Sequence, residues 1–157
     1  MSEAWVSFSD LSTDIAVLLR KAQSVSVNAY NAYSKFRVGA AALTKSGAIY
    51  EGAFLENASL GLSICAEPAA IMNANTNGDF NISAIAIVGG NPQTATDDDN
   101  PVTPCGRCRQ IIYEASTVSN VDIAVYCANL KLTKVLQTTI SQLLPFPFNF
   151  TEQNNPN

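Results

Sequence analysis

Two cysteine-bearing segments lie far apart in the 157-residue chain, and together they constrain the folds that the chain can adopt. Residues 65–67 read Cys-Ala-Glu, and residues 104–108 read Pro-Cys-Gly-Arg-Cys. A C-x-x-C pair at the start of a helix places both thiols on one turn, where the helix end favours their ionised form. Taken alone, such a pair fits a redox-active dithiol or half of a metal site. With Cys65 at the start of another helix, the pattern predicts a fold that brings the two helix starts together around one metal ion.

The chain has no histidine, and this absence limits its chemistry. It excludes the Ser-His-Asp and Cys-His nucleophile systems and every zinc cluster that uses a His ligand. Three thiolates suit zinc, and a site with three protein ligands leaves the fourth position for water, as is typical of catalytic zinc. Because zinc lowers the pKa of a bound water, Glu67 is then available to move protons. A Cys or His, then x-Glu, then Pro-Cys-x-x-Cys is typical of zinc deaminases, and unpaired buried thiols beside a chance acidic residue are the alternative.

The composition indicates a compact, acidic domain. Hydrophobic residues make up 47% of the chain and charged residues 14%, with a net charge of −4. A chain of this length can bury a core without disulfides, and with 9 Lys and Arg it is not expected to bind a nucleic acid polymer. We find neither a secretory signal nor an apolar stretch of the roughly 18 to 20 residues that span a membrane. Four cysteines are too few for a secreted disulfide framework, so we expect a cytoplasmic protein.

Hydrophobic periodicity predicts helices that alternate with short strands. Helices are expected to begin near Ser9 and Asp10, to cover residues 64–75, and to run from Cys105 to about residue 115. Strands are expected at residues 37–44, 48–55, 82–88, 121–126 and 130–135. We therefore predict an α/β fold, with a three-layer α/β/α architecture and a mixed sheet of about five strands. One domain is expected over residues 1–150, followed by a disordered tail at residues 151–157.

Beyond the cysteine segments, the sequence resembles the small homotetrameric cytidine deaminases and their relative blasticidin S deaminase, over about residues 28–150. The blocks that carry the resemblance are residues 33–41 (Tyr-Ser-Lys-Phe-Arg-Val-Gly-Ala-Ala), 56–59 (Glu-Asn-Ala-Ser), 65–67, 104–110 and 143–146 (Leu-Leu-Pro-Phe). The resemblance implies a zinc-dependent hydrolytic deaminase that converts the cytosine ring of a free nucleoside or nucleoside analogue to uracil and releases ammonia. It also implies one zinc ion per chain, no organic cofactor, and assembly as a homotetramer.

Carried over by position, the resemblance assigns roles to residues near the zinc. Cys65, Cys105 and Cys108 would be the zinc ligands. Glu67 would accept a proton from the zinc water and deliver protons to N3 of the ring and to the leaving ammonia. The backbone amide of Ala66 would orient the base at its 2-oxo group.

The resemblance also assigns contacts with the substrate. Phe36 would pack against the ligand, and Glu56 would accept a hydrogen bond from the ribose 3′-hydroxyl. In this family an aromatic side chain from the tail of a neighbouring subunit covers the base, and Phe148 is the best match here. Ordinary packing between subunits would account for the Phe-rich tail equally well.

The chain departs from the family at two positions. Cytidine deaminases usually carry Asn two residues before the ribose-binding Glu, where this chain has Phe54, and a phenyl ring cannot hydrogen-bond a sugar hydroxyl. They often carry Arg directly after the catalytic Glu, where this chain has Pro68, a residue that fits a first helical turn. Arg107 is then the natural candidate to offset the charge of three thiolates, with a solvated helix-start residue as the alternative. Cytidine, deoxycytidine and blasticidin S all remain open as substrates.

Two other functions fit parts of the sequence. A non-catalytic, zinc-stabilised binding module would need a fourth protein ligand, and Cys127 is the remaining thiol. This hypothesis leaves Glu67 without a role. A deaminase acting on polynucleotides would share the motif, but the acidic balance and the small size disfavour it. The expected partner is therefore a small cytosine nucleoside or analogue, with no nucleic acid polymer and no membrane.

Overall fold

The computed structural model describes residues 4–150, in which one mixed six-stranded sheet lies between helices. The strands are β1 (Ala4–Val6), β2 (Arg37–Thr44), β3 (Ile49–Ala53), β4 (Ile82–Gly90), β5 (Ala124–Asn129) and β6 (Val135–Thr139). The helices are α1 (Thr13–Val25), α2 (Ala66–Thr76), α3 (Gly106–Ser119) and the short α4 (Ile140–Leu143). The strand order is β1-β6-β5-β4-β2-β3, in which β4 and β5 are parallel and the other neighbouring pairs are antiparallel.

Helices cover both faces of the sheet because its central strands are apolar on both sides. In β4, Ile85 and Ile87 point to the face covered by α2 and α3. Their neighbours Ala84, Ala86 and Val88 point to the face covered by α1. All five side chains are buried. The prediction of a three-layer α/β/α fold is therefore confirmed.

The strand directions explain why the two cysteine segments converge. Both β3 and β4 are antiparallel to β2, so they point the same way and their carboxyl ends lie at one edge of the sheet. Helix α2 follows β3 in the chain, and α3 follows β4. Both helices therefore begin at that edge, on the same face of the sheet. Ligands in α/β proteins favour this kind of position.

Gly52 in β3 allows α2 to lie directly against the sheet. A Cβ atom at this position would overlap the backbone nitrogen of Ala70 and the carbonyl oxygen of Ala66. Any side chain at residue 52 would therefore push the first turns of α2 away from the sheet. This close approach sets the position of residues 65–67 relative to the strands.

On one side of the sheet, the bounds of the strands differ from those expected. The structure has six strands rather than about five, because the edge strand β1 has only three residues and is too short to show a periodic pattern. The strand β5 begins later than expected, and β6 covers Val135–Thr139 rather than residues 130–135. A turn lies between them, where Leu132 has a φ of 58° and the Asn129 side chain accepts a hydrogen bond from the backbone amide of Thr133.

The helix predictions are confirmed, with one shift at the first helix. As expected, α2 and α3 begin directly after Cys65 and Cys105. Helix α1 begins at Thr13 rather than after Ser9 and Asp10, because residues 8–10 form a separate 3-10 turn. The predicted tail, residues 151–157, lies outside the described residues. Over residues 4–150, none of the helices has the length and apolar character needed to cross a membrane.

Candidate active site

Three cysteines meet where α2 and α3 begin. Cys65 is the N-cap residue of α2, Cys105 is the N-cap residue of α3, and Cys108 lies in the first turn of α3. Their sulfur atoms all lie within 4.8 Å of one another, and the Sγ atoms of Cys105 and Cys108 are 3.4 Å apart. The partial positive charge of the two helix N-termini would also favour thiolates that bind a metal ion at this place.

This group of thiols fits one zinc ion. Soft thiolate ligands select zinc, and at a zinc–sulfur distance of about 2.3 Å three sulfurs this close can share one ion. Cys127 is not part of the group, since it lies fully buried in β5, where burial raises the pKa of its thiol to about 12. Within residues 4–150 the group therefore offers three ligand atoms, and a zinc ion bound to them would have its fourth position free for water. This count disfavours the zinc-stabilised binding module.

Arg107 lies beside Cys65 at the edge of the thiol group. Its Nη2 donates a hydrogen bond of 2.9 Å to the carbonyl oxygen of Ser63, which holds the guanidinium near the start of α2. A hydrogen bond from Cys108 and the charge of Arg107 lower the pKa of Cys65 to about 6, against the opposing effect of burial. The same hydrogen bond raises the pKa of Cys108.

Glu67 is a buried carboxyl group next to the thiols. It lies in the first turn of α2 with 4% of its surface exposed. Burial, together with the negative charge of Cys65, raises the pKa of Glu67 to about 7. A carboxyl group with a near-neutral pKa can both accept and donate protons at physiological pH. Pro68 follows in the same turn, where its missing N–H breaks no helical hydrogen bond.

A cavity of about 300 Å³ opens onto Glu67 and the thiols. Its volume is at the lower end of the range for small-molecule sites. Phe36, Glu56 and Ala66, which the sequence predicts as substrate contacts, all line this cavity. Sequence analysis did not predict the other residues of the cavity wall as substrate contacts. Two of them directly precede the Pro-Cys-x-x-Cys segment, and this position in the sequence could have pointed to them. The remaining wall residues are Ser34, Val38, Phe54, Val102 and Thr103.

Glu56 is held in the cavity by backbone N–H groups. Its Oε2 accepts a hydrogen bond of 2.7 Å from the amide of Tyr33, and both carboxylate oxygens accept from the amide of Ser34 at 3.1 Å. Burial opposes ionisation here, but these hydrogen bonds and the charge of Lys35 outweigh it and lower the pKa of Glu56. Glu56 is therefore a fixed, ionised hydrogen-bond acceptor at neutral pH.

Phe148 does not line the cavity of its own chain. Its backbone amide donates a hydrogen bond of 3.1 Å to Oε1 of Gln110, and its carbonyl oxygen accepts one of 2.9 Å from Nε2 of the same side chain. The Phe148 side chain is 56% exposed. Its role as a contact in a neighbouring subunit stays a prediction.

Two polar side chains fix the loop between β4 and α3, which leads into the C-x-x-C segment. The side chain of Asn129, which is 1% exposed, donates a hydrogen bond of 3.0 Å to the carbonyl oxygen of Asp99. Arg109 donates from Nε to the carbonyl oxygen of Pro104 at 2.8 Å and from Nη1 to that of Leu143 at 2.9 Å. Sequence analysis missed Asn129, because a polar residue at a strand end carries no signal of the distant loop that it binds.

Comparison with known families identifies a match over most of the chain. Residues 12–125 match the family described as the cytidine and deoxycytidylate deaminase zinc-binding region. The chain is 39% identical to the cytidine deaminase of Halalkalibacterium halodurans over 142 residues, which cover 90% of this chain and 99% of that protein. It is 38% identical to the cytidine deaminase of Sporosarcina psychrophila, over 86% of this chain and 91% of that protein.

Solved structures give the same result. The crystal structure of cytidine deaminase from Burkholderia pseudomallei matches with a TM-score of 0.74 and 33% identity, and covers 88% of this chain and 100% of that one. Cytidine deaminase from Mycobacterium tuberculosis matches with a TM-score of 0.69 and 30% identity, over 88% of this chain. The family match spans all three thiols and Glu67. The chain therefore belongs to the cytidine and deoxycytidylate deaminase family.

Proposed function

We propose that the protein hydrolyses the 4-amino group of the cytosine ring in a free nucleoside, using one zinc ion and producing ammonia. The observation that carries this proposal is Glu67, a buried carboxyl group beside a three-thiol zinc site at the wall of a small cavity. Burying a carboxyl group is unfavourable, so a purely structural zinc site would gain nothing from one at this position. Membership of the deaminase family supports the same reaction.

The residues of this chain supply proton transfer and orientation. Bound zinc supplies a water molecule of lowered pKa. Glu67 would accept one proton from the attacking water and deliver it to N3 of the ring as the oxygen bonds to C4. It then carries the second proton to the amino group, so that the C4–N bond breaks and ammonia leaves. The backbone amide of Ala66, a residue of the cavity wall, donates a hydrogen bond to the 2-oxo group and so fixes the ring.

The charges of the cavity wall favour a free nucleoside over a nucleotide. Two carboxyl groups, those of Glu56 and Glu67, line the cavity, and no Lys or Arg is among the described residues of its wall. A phosphate group entering the cavity would therefore meet negative charge without a cation to offset it. Phe36 offers an aromatic ring against which a base can pack.

The test of the proposed function is an ultraviolet assay of the zinc-loaded protein with cytidine, 2′-deoxycytidine, cytosine and blasticidin S. We expect turnover of both nucleosides with release of ammonia, and little turnover of cytosine, which cannot reach Glu56. Cytidine and its deoxy form are better supported than blasticidin S, because the similar proteins reported above are cytidine deaminases. Turnover of blasticidin S alone would replace the proposal with that alternative, and turnover of none would refute both.

We also propose a homotetramer in which the Phe-rich tail reaches a neighbouring subunit. Large apolar side chains are exposed on the described part of the chain, among them Leu60 at 73%, Leu62 at 67% and Phe146 at 94%. Leu60 and Leu62 lie in one 3-10 turn, and apolar side chains that are exposed together in this way are typical of contact surfaces. The backbone of Phe148 is bound to Gln110, and its side chain does not line the cavity of its own chain, which supports a role in a partner's site. Light scattering should give a mass about four times that of the 16.7 kDa chain, and a monomeric mass would contradict the assembly.

Arg107 is proposed to offset the negative charge of the zinc-bound thiolates. It lies close enough to Cys65 to lower the pKa of that thiol, and its position is held by Ser63. The residue that follows Glu67 is the uncharged Pro68, so the first turn of α2 offers no cation at that place.

The thiols must also stay reduced in order to bind zinc, which supports the expected cytoplasmic location.

A further inference from the structure

The extended segment after β3 places Phe54 and Glu56 side by side in the active-site cavity. Side chains alternate along an extended backbone. Phe54 and Glu56 line the active-site cavity, whereas Ala53 and Leu55 line a separate cavity against the other side of the segment. Leu55 pairs with Ile64 in a short bridge, which keeps the segment extended. Phe54 and Glu56 therefore lie on the same side of the segment, in the wall of one cavity.

The polar groups around Glu56 are already hydrogen-bonded to one another. Glu56 accepts from the amides of Tyr33 and Ser34 and from the Ser34 hydroxyl. The Ser34 hydroxyl oxygen in turn accepts a hydrogen bond of 3.2 Å from the amide of Phe36. A carboxylate has about four acceptor positions, so Glu56 retains room for about one further donor. The side chains of Phe36 and Phe54 beside it cannot hydrogen-bond at all.

We propose that Phe54 makes this enzyme permissive toward the sugar of its cytosine nucleoside substrate. This inference rests on the proposed function, in which the base faces Glu67 and the sugar faces Glu56. The sugar is held by apolar contact with Phe54 and by a single hydrogen bond to Glu56. The substrate class is therefore cytosine nucleosides with full or reduced sugar hydroxylation, including 2′-deoxy and 2′,3′-dideoxy forms.

The apolar side chains of the cavity wall determine how strongly the enzyme is expected to discriminate between nucleosides with and without a sugar hydroxyl. Sites that bind a substrate hydroxyl with several fixed polar groups reject analogues lacking it by about 10⁴-fold or more, whereas apolar walls discriminate by about 10²-fold or less. Loss of the hydroxyl that contacts Glu56 does not leave this buried carboxylate unpaired, because it keeps its hydrogen bonds from the amides of Tyr33 and Ser34.

The first experiment compares kcat/KM of the zinc-loaded protein for cytidine, 2′-deoxycytidine and 2′,3′-dideoxycytidine. We expect the value for 2′,3′-dideoxycytidine to lie within about 100-fold of that for cytidine, and the value for 2′-deoxycytidine to lie closer still. A larger loss would overturn the proposal. Competitive inhibition by uridine and by 2′,3′-dideoxyuridine gives the same comparison without the chemical step, and the ratio of their inhibition constants should stay within the same limit.

Two substitutions separate the hydrogen-bonding effect from the loss of the ring. Phe54→Asn introduces an amide next to Glu56 and is expected to raise the preference for cytidine over 2′,3′-dideoxycytidine by about tenfold or more. Phe54→Leu keeps an apolar side chain and is expected to keep the wild-type ratio. An equal rise in both variants would contradict the assignment. Zinc content and thermal melting check that each variant folds. If Phe54→Asn fails to fold, the kcat/KM values of the wild type and of Phe54→Leu for the three nucleosides test the proposal.

The outcomes also separate this inference from the proposed function. If no cytosine nucleoside is deaminated, the proposed function fails, and the sugar preference falls with it. If cytidine is deaminated and 2′,3′-dideoxycytidine is rejected by much more than about 100-fold, the function stands and only the role of Phe54 is overturned.

Discussion

Replacing Glu67 by Gln is expected to lower kcat by about 10²- to 10⁴-fold while the protein keeps its zinc. Gln has nearly the same shape as Glu, but it cannot accept a proton from water or deliver one to the ring. Glu67 is buried at 4% exposure in the first turn of α2, so no neighbouring carboxyl group can take its place from solvent. The measurement combines the ultraviolet assay with metal analysis of the same protein sample.

Glu114→Gln is the matched control for this substitution. Glu114 is exposed on α3, and the same chemical change there should leave both kcat and zinc content at the wild-type values. A zinc-loaded Glu67→Gln protein with kcat within about tenfold of the wild type would refute the proton-transfer role. A Glu67→Gln protein that has lost its zinc would instead assign Glu67 to metal binding.

Replacing Cys65 by Ala is expected to reduce the zinc content from about one ion per chain to nearly none, and to abolish activity with it. Three thiolates are the minimum set here, because the described residues offer no fourth ligand within the group. Two remaining ligands hold zinc too weakly to survive dialysis against a chelator. Metal analysis after dialysis measures this loss directly.

Two further substitutions make the zinc experiment specific. Cys127→Ala should keep about one zinc per chain, since Cys127 lies outside the thiol group, and loss of zinc from this variant would revive the four-ligand binding module.

Arg107→Gln should keep its zinc but release it to a chromogenic chelator about 10- to 100-fold faster, with Arg107→Lys in between. Release at the wild-type rate from Arg107→Gln would mean that Arg107 does not offset the thiolate charge.

Much of the site was predictable because its chemistry is local in the sequence. Cys105 and Cys108 share one helical turn by their spacing alone, and Cys65 and Glu67 share another. The alternation of helices with apolar strands predicted the layers of the fold. The three-residue strand β1 and the start of β6 were missed, because a short edge strand has no period and the turn at Leu132 looks apolar in sequence.

The contacts between distant segments were not predictable in this way. That Asn129 binds the loop before α3, or that Gln110 holds Phe148 outside the cavity, depends on side chains whose partners are far away in the chain. The amides that bind Glu56 belong to a loop with no sequence pattern of its own. Such contacts arise only after the sheet has assembled.

By itself, the sequence determined the type of site: thiols and a carboxyl group at two helix starts, in a chain whose lack of histidine excludes imidazole ligands to the metal. Only the tertiary structure decided that these helix starts meet, because β3 and β4 run in the same direction on either side of β2. It also decided what surrounds them. Phe54 became a wall of the cavity because the segment after β3 stays extended and turns every second side chain toward Glu67.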